Sequence, residues 1–386
     1  MNNIEQKYAS FILEQELMIE SGEKLTINAN EETISFAHLV AHMAAEKTGV
    51  SVSIVYIDKG KVESVDEIDP DYQERPSGKV AMLHLAAFPE FTSITDFEKE
   101  ISAKELQEYR LISEPVVPGR RISVPWAICY VPTATWAEFV FGPGATTDSL
   151  WLLLSDLLSL DSDDKLLKLQ HQMLKTRKER LRSENISQIV LNSATCDLTL
   201  TINRELYPTT TSTLLSSGRL FYPTAPCEDV IIPLDKLSGH GKFSTTYPFR
   251  LFDSVFSGAE IEIKNGKAVS FKLEGGSEHV TKYLSIDSDS SRVSELIICD
   301  GYTKASKLDI SLGLPMLDRM RTTTLVLGGV TPETVNAENE DDLKELEFNN
   351  SFVRLELPIG SRDLEIKGIT EFGEVITIME DGILVF

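Results

Sequence analysis

The residues best suited to metal chemistry are few. The chain has six histidines, and only His38 and His42 are close enough to act together. Their HxxxH spacing puts both imidazoles on one helical face, where they could seat a zinc ion. The segment reads HLVAH, without the acid that follows the first histidine in a HExxH motif, so packing or surface roles are expected for both. His84, His171, His240 and His279 have no His, Cys or paired carboxylate at ligand spacing. The four cysteines, Cys129, Cys196, Cys227 and Cys299, lie far apart with no CxxC and read as reduced, mostly buried thiols. No GxSxG nucleophile elbow and no GxxxxGK[ST] phosphate loop occurs. Asp287 and Asp289 sit among serines but lack the glycine and closing glutamate of a calcium loop. Asp161, Asp163 and Asp164 precede a long helix and suit its positive end. Trp126, Trp136 and Trp151 fall in one region as a binding platform or, in the plainer reading, as core.

Charge narrows the classes of partner. Thirty-seven Lys plus Arg against 60 Asp plus Glu leave a net charge of −23, a field that repels phosphate backbones and argues against nucleic acid. The densest basic run, Lys175 to Arg182, also carries Glu179 and reads as a solvated helix face. The N-terminus lacks a cationic segment followed by an apolar one, and the longest apolar stretch, 150–158, is far short of the roughly 20 residues that span a bilayer. A cytoplasmic protein without a membrane anchor is expected.

The elements that must hold these residues change character along the chain. Residues 5–20 have helical spacing, 23–29 alternate as a strand, 31–48 form an amphipathic helix stopped by Gly49, and 50–57 are a strong β run. This βαβ unit, with further strands near 80–87 and 128–132 and a helix over 165–185, defines an N-terminal α/β domain over 1–185. From 186 to 386 short alternating segments separated by turn signals predict a mixed α+β domain rich in antiparallel strands. Hairpins are expected at Asn265-Gly266 and Asp381-Gly382, because Asn-Gly and Asp-Gly accept the positive φ of a tight turn. The acidic stretch 331–346 reads as an exposed loop or short helix.

Several segments, taken in order, resemble one family. GEKLTINANEETISFAHLVAHMAAEKTG, ERLRSENISQIVLNSATCDLTLTI, SSGRLFYPTAPCEDV, SELIICDG and LDISLG are similar to successive motifs of the aminopeptidase T-like (AmpS-type) metallopeptidases, whose scaffold is shared with dihydroxypyridine dioxygenases. The resemblance implies a two-domain α/β fold, a dimer and, in intact members, a dinuclear metal site. Carried over residue by residue, it also implies that the site has decayed here. The first ligand glutamate is replaced by Arg219, a second is kept as Glu295, a histidine becomes Asp309, and the later His-x-Asp pair and catalytic Tyr have no match. An arginine at a ligand position puts a fixed cation where a metal would sit. Arg219 is therefore expected to pair with Glu295 or Asp309 in a former metal site, with no metal or other cofactor. The resulting expectation is a non-catalytic, pseudo-aminopeptidase homodimer binding a peptide or small molecule of cationic character, for instance a precursor peptide in natural-product biosynthesis. Alternatives are a metal-dependent aminopeptidase or mononuclear enzyme with a rebuilt site, and a structural partner in an assembly.

Overall fold

A computed structural model describes residues 3–49, 52–57, 79–88, 124–162, 164–210, 212–215, 217–223, 228–308, 310–335 and 346–386. They form two compact units. The first comprises the described residues up to 88, those from 124 to 168 and those from 212 to 223; the second comprises 169–210 and those from 228 onward.

In the first unit β1 (Lys24–Ala29), β2 (Val52–Tyr56), β3 (Val80–Ala86) and β4 (Trp126–Tyr130) make a parallel sheet in the order β2-β1-β3-β4. Strands buried on both faces read as nearly continuous apolar runs, and every residue of β3 is buried. Leu25, Ile27, Leu83 and Leu85 point into a core shared with α1 (Asn3–Phe11) and α2 (Ile34–Thr48). α1 runs on into a π-helical turn, Ile12–Glu16. α2 ends where Gly49 adopts φ 74° and returns its N–H to the Ala45 carbonyl, the left-handed cap that glycine allows. α3 (Ala134–Phe141) and α4 (Thr147–Leu157) follow β4. On the opposite sheet face Met82 and Trp126 pack with Leu215 and Phe221, which come from a ribbon of β8 (Thr213–Leu214) and β9 (Leu220–Phe221).

The second unit begins within α5 (Asp164–Ser183) and contains two antiparallel sheets. The larger has eight strands. In chain order these are β5 (Ile186–Ser193), β6 (Cys196–Thr201), β11 (His240–Ser244), β14 (Glu260–Lys264), β15 (Lys267–Lys272), β19 (Glu365–Thr370), β20 (Val375–Glu380) and β21 (Ile383–Leu384). The smaller, in the order β18-β17-β16-β10-β7, uses β7 (Thr209–Thr210), β10 (Asp229–Pro233), β16 (Val293–Cys299), β17 (Thr324–Gly328) and β18 (Arg354–Pro358). A ribbon of β12 (Phe249–Leu251) and β13 (Ser254–Phe256) and two short helices, α6 (Ser277–Tyr283) and α7 (Pro315–Asp318), complete it. Alternate residues of both sheets meet in one core, including Ile189, Leu198, Ile261 and Ile366 from the larger and Ile232, Leu296, Leu325 and Leu355 from the smaller.

The α/β architecture expected from the sequence, a parallel βαβ region followed by an antiparallel-strand-rich region, is the observed one. The compact units differ from a division at 185/186. Leu174 and Leu181 of α5 belong to the second unit's core, and Leu215 and Phe221 return to the first. Both hairpin turns form, with Asn265 at φ 49° and Gly266 at φ 70°, and Asp381 at φ 49° and Gly382 at φ 70°. In the acidic stretch Pro332–Thr334 is a 3-10 turn, and residues 336–345 lie outside those described. Among the described residues no helix is long and apolar enough to cross a membrane.

Candidate functional site

The five-stranded sheet gives one face to the core, and its other face carries charge. Alternation along β10, β16, β17 and β18 turns Asp229, Ile231, Glu295, Ile297, Val326, Arg354 and Glu356 to that face. The register sets Glu295 opposite Val326, Val326 opposite Glu356 and Gly328 opposite Arg354. Ile231, Ile297 and Val326 form a small apolar floor between the charges.

Glu295 is 0% exposed, and both carboxylate oxygens are engaged. Oε1 accepts the Thr331 N–H at 2.5 Å, while Oε2 accepts the Thr331 hydroxyl at 3.0 Å and Arg354 Nη1 at 2.8 Å. Thr331 reaches the carboxylate because the chain leaves β17 through Gly328 at φ +93°, where an added Cβ would lie 2.0 Å from the Val353 carbonyl oxygen. Arg354 also donates to the Gly329 carbonyl at 2.9 Å and, through Nε, to Glu356 Oε1 at 3.0 Å. Beside this group Arg319 Nε lies 2.7 Å from Asp229 Oδ2, on a carboxylate that is 1% exposed.

The electrostatics follow from burial and pairing. Burial raises the Asp229 carboxyl above its usual range and Arg319 opposes that rise. Burial alone would lower the Arg354 guanidinium, but the carboxylates of Glu295 and Glu356 outweigh it and hold the cation above its ordinary value. A carboxylate this deep is tolerated when it is paired and fully hydrogen-bonded, and Glu295 is both. Its lone pairs are thus committed to a guanidinium and a threonine. Among the described residues no group of three or more His, Cys, Asp or Glu side chains could hold a metal ion.

The expected residues are distributed differently from the expectation. Arg219 lies in the first unit, just before β9, and its side chain is 15% exposed. Its guanidinium is ion-paired with the buried Glu23 and donates to the carbonyls of Leu17 at 3.1 Å and Met18 at 2.5 Å. These carbonyls end the α1–π-helical segment, where Met18 turns to φ 48°. A helix end needs donors for its last carbonyls and favours a cation, so Arg219 caps that end. The pairing of Arg219 with Glu295 is therefore corrected: the cation on Glu295 is Arg354. Asp309 lies outside the described residues.

Arg354, Glu356, Asp229, Arg319 and Thr331 were not singled out from the sequence. One signal was present: in VRLELPI the two charged residues share one parity and the leucines the other. His38 and His42 are both exposed, and His42 lies 3.6 Å from Glu46. Trp126, Trp136 and Trp151 are core residues, at 1%, 1% and 5% exposure. Asp287 accepts the Ser351 hydroxyl and Asp289 pairs with Lys236, which makes that segment a fastened turn. In the basic helix Arg180 and Arg182 stack on the rings of Phe386 and Tyr207, so part of that run packs against its own unit. Cys129, Cys196 and Cys299 are buried free thiols, and Cys227 lies outside the described residues.

Comparison with known proteins decides the lineage. The family profile described as Peptidase_M29, thermophilic metalloprotease (M29), matches residues 1–383. The chain belongs to this family. It is similar to Aminopeptidase 2 of Geobacillus stearothermophilus, 24% identical over 97% of this chain and 96% of that protein. It is also similar to Aminopeptidase AmpS of Bacillus subtilis, 21% identical over 99% of each. The solved structure of wild-type AmpT from Thermus thermophilus shares the fold, with a TM-score of 0.83, 18% identity and 99% of each chain covered. A metalloprotease family implies a metal, and the charged sheet face of this M29 chain does not fit one: Glu295, the carboxylate that the resemblance marks as a kept ligand, is saturated by Arg354 and Thr331.

Proposed function

We propose that this M29 chain is a non-catalytic, pseudo-aminopeptidase member of its family that binds a peptide or small molecule. The observation that carries this is the saturation of Glu295 by Arg354 and Thr331, with Arg219 engaged as a helix cap. A hydrolytic metal centre needs carboxylates and imidazoles free to hold cations and acidify a water. An iron site of dioxygenase type would meet the same obstacle. A peptide is favoured because the relatives are named as aminopeptidases. The net charge of −23 would steer a cationic peptide toward the surface. Presentation of a precursor peptide to modifying enzymes, in the cytoplasm and from a homodimer, is the setting we favour.

The test is metal content and turnover on one preparation purified without chelator. Less than stoichiometric Zn, Fe, Co or Mn is expected, together with no cleavage of amino-acid amides after zinc or cobalt is added. Stoichiometric metal with metal-dependent cleavage would establish the alternative of an enzyme with a rebuilt site. Capture of peptides from a digest, identified by mass spectrometry, supports binding. A stable hetero-complex with no peptide affinity would instead make the chain a structural partner.

A further inference from the structure

The first unit holds a second polar feature that the charged sheet face does not use. Asn28 of β1 and His84 of β3 are register partners on adjacent parallel strands, and so project from the same sheet face. Asn28 is 1% and His84 8% exposed, yet Asn28 Oδ1 and His84 Nδ1 have no hydrogen-bond partner among the described residues. Buried polar atoms are nearly always paired, and each one left unpaired is costly. Two such atoms side by side point to a ligand.

Position supports the same conclusion. In the order β2-β1-β3-β4 the chain moves to one side of β1 for β2 and to the other for β3. The gap between β1 and β3 is therefore a topological switch point, and open parallel sheets bind ligands at the carboxyl ends of their strands there. Asn28 is the penultimate residue of β1, and His84 lies two residues before the end of β3. Along their row the flanking positions, Val55 and Ile128, are apolar and half-buried. Beyond His84 the next residue on this face is the small Ala86, opposite Tyr130, and the Tyr130 ring lies 6.2 Å from that of Trp136.

We infer that Asn28 and His84 form a binding site for an uncharged amide on a flat apolar carrier. The two orphaned atoms stand on strands ~4.8 Å apart, a separation that suits a group whose donor and acceptor are different atoms. An amide N–H would be donated to Asn28 Oδ1, and the amide oxygen would accept from His84 Nδ1–H. A carboxylate is disfavoured: burial pushes the His84 imidazole down to about 4, so neither side chain offers a charge at neutral pH. The site is independent of the proposed peptide function and stands or falls separately from it.

Benzamide is the probe and benzoate its charged control. With the full-length protein, benzamide is expected to shift the His84 imidazole nitrogen signals in NMR and to raise Tm, and benzoate to do neither. Asn28→Leu and His84→Leu should each weaken benzamide binding by about tenfold, the worth of one buried hydrogen bond. Without ligand both variants should melt at or above the wild-type temperature, because an orphaned polar group has been removed. The inference is overturned if benzamide leaves the His84 signals of the wild-type protein unmoved, in which case the pair holds only solvent. It is equally overturned if binding survives both substitutions, or if benzoate binds as well as benzamide. Should a variant fail to fold, the wild-type titration alone decides.

Discussion

Arg354 and Glu295 contribute unequally when one of them is removed. Glu295 is fully buried, so Arg354→Met would leave a carboxylate with only Thr331 to support it. Breaking a buried pair on one side costs about 3–5 kcal/mol, whereas replacing both sides with apolar residues is often close to neutral. Urea unfolding should show that loss for Arg354→Met and recovery of most of it in Arg354→Met with Glu295→Leu. Arg219→Ala removes the partner of Glu23 and the cap on two carbonyls, for an expected loss of about 3 kcal/mol. Arg219→Glu should be worse, because it sets a second carboxylate against Glu23 at the negative end of a helix. An unchanged urea midpoint in both variants would show that the cap is idle. At this scale the sequence drew attention to Arg219 but did not show what it would touch. The resemblance marked Arg219 as a cation expected at a ligand position, and its actual partners, Glu23 and two carbonyls about 200 positions earlier in the chain, carry no local mark.

Local chemistry made the elements far more legible. Asn265-Gly266 signalled a tight hairpin, and both residues take the positive φ that such a turn needs. The structure adds a reason that the sequence could not show: a Cβ on Gly266 would lie 2.2 Å from the Lys236 carbonyl oxygen. Gly266→Ala should therefore combine backbone strain with a backbone clash and cost about 2 kcal/mol or more, seen as a lower Tm with the far-UV spectrum retained. An unaltered Tm would mean that the turn relaxes freely. The parallel strands were equally readable, since burial on both faces leaves apolar runs such as the VAMLHLA of β3. The unit division was not. Leu215 and Phe221 sit among residues that look no different from their neighbours, and only packing against Met82 and Trp126 reveals where they belong.

For the molecule as a whole, two buried imidazoles set a limit on acid tolerance. Burial lowers His84 and His171 from 6.5 to about 4. Between those values the unfolded chain takes up protons that the folded chain refuses, so stability rises with pH there and is lost as pH falls from 6.5 toward 4. Each imidazole contributes at most ~1.4 kcal/mol per pH unit, or ~3 kcal/mol across the window. His171→Leu should flatten the pH dependence of urea stability over this window while leaving its slope above pH 7 unchanged. An identical acid limb would show that His171 titrates normally. The other charge of consequence, on Arg354, behaves in the opposite way. A guanidinium tethered to β18 arrives with the polypeptide, cannot be chelated and does not titrate in any physiological range. The sheet face that holds Glu295 can therefore be completed during folding itself, with no metallation step and no dependence on zinc supply, and it should persist unaltered through metal starvation.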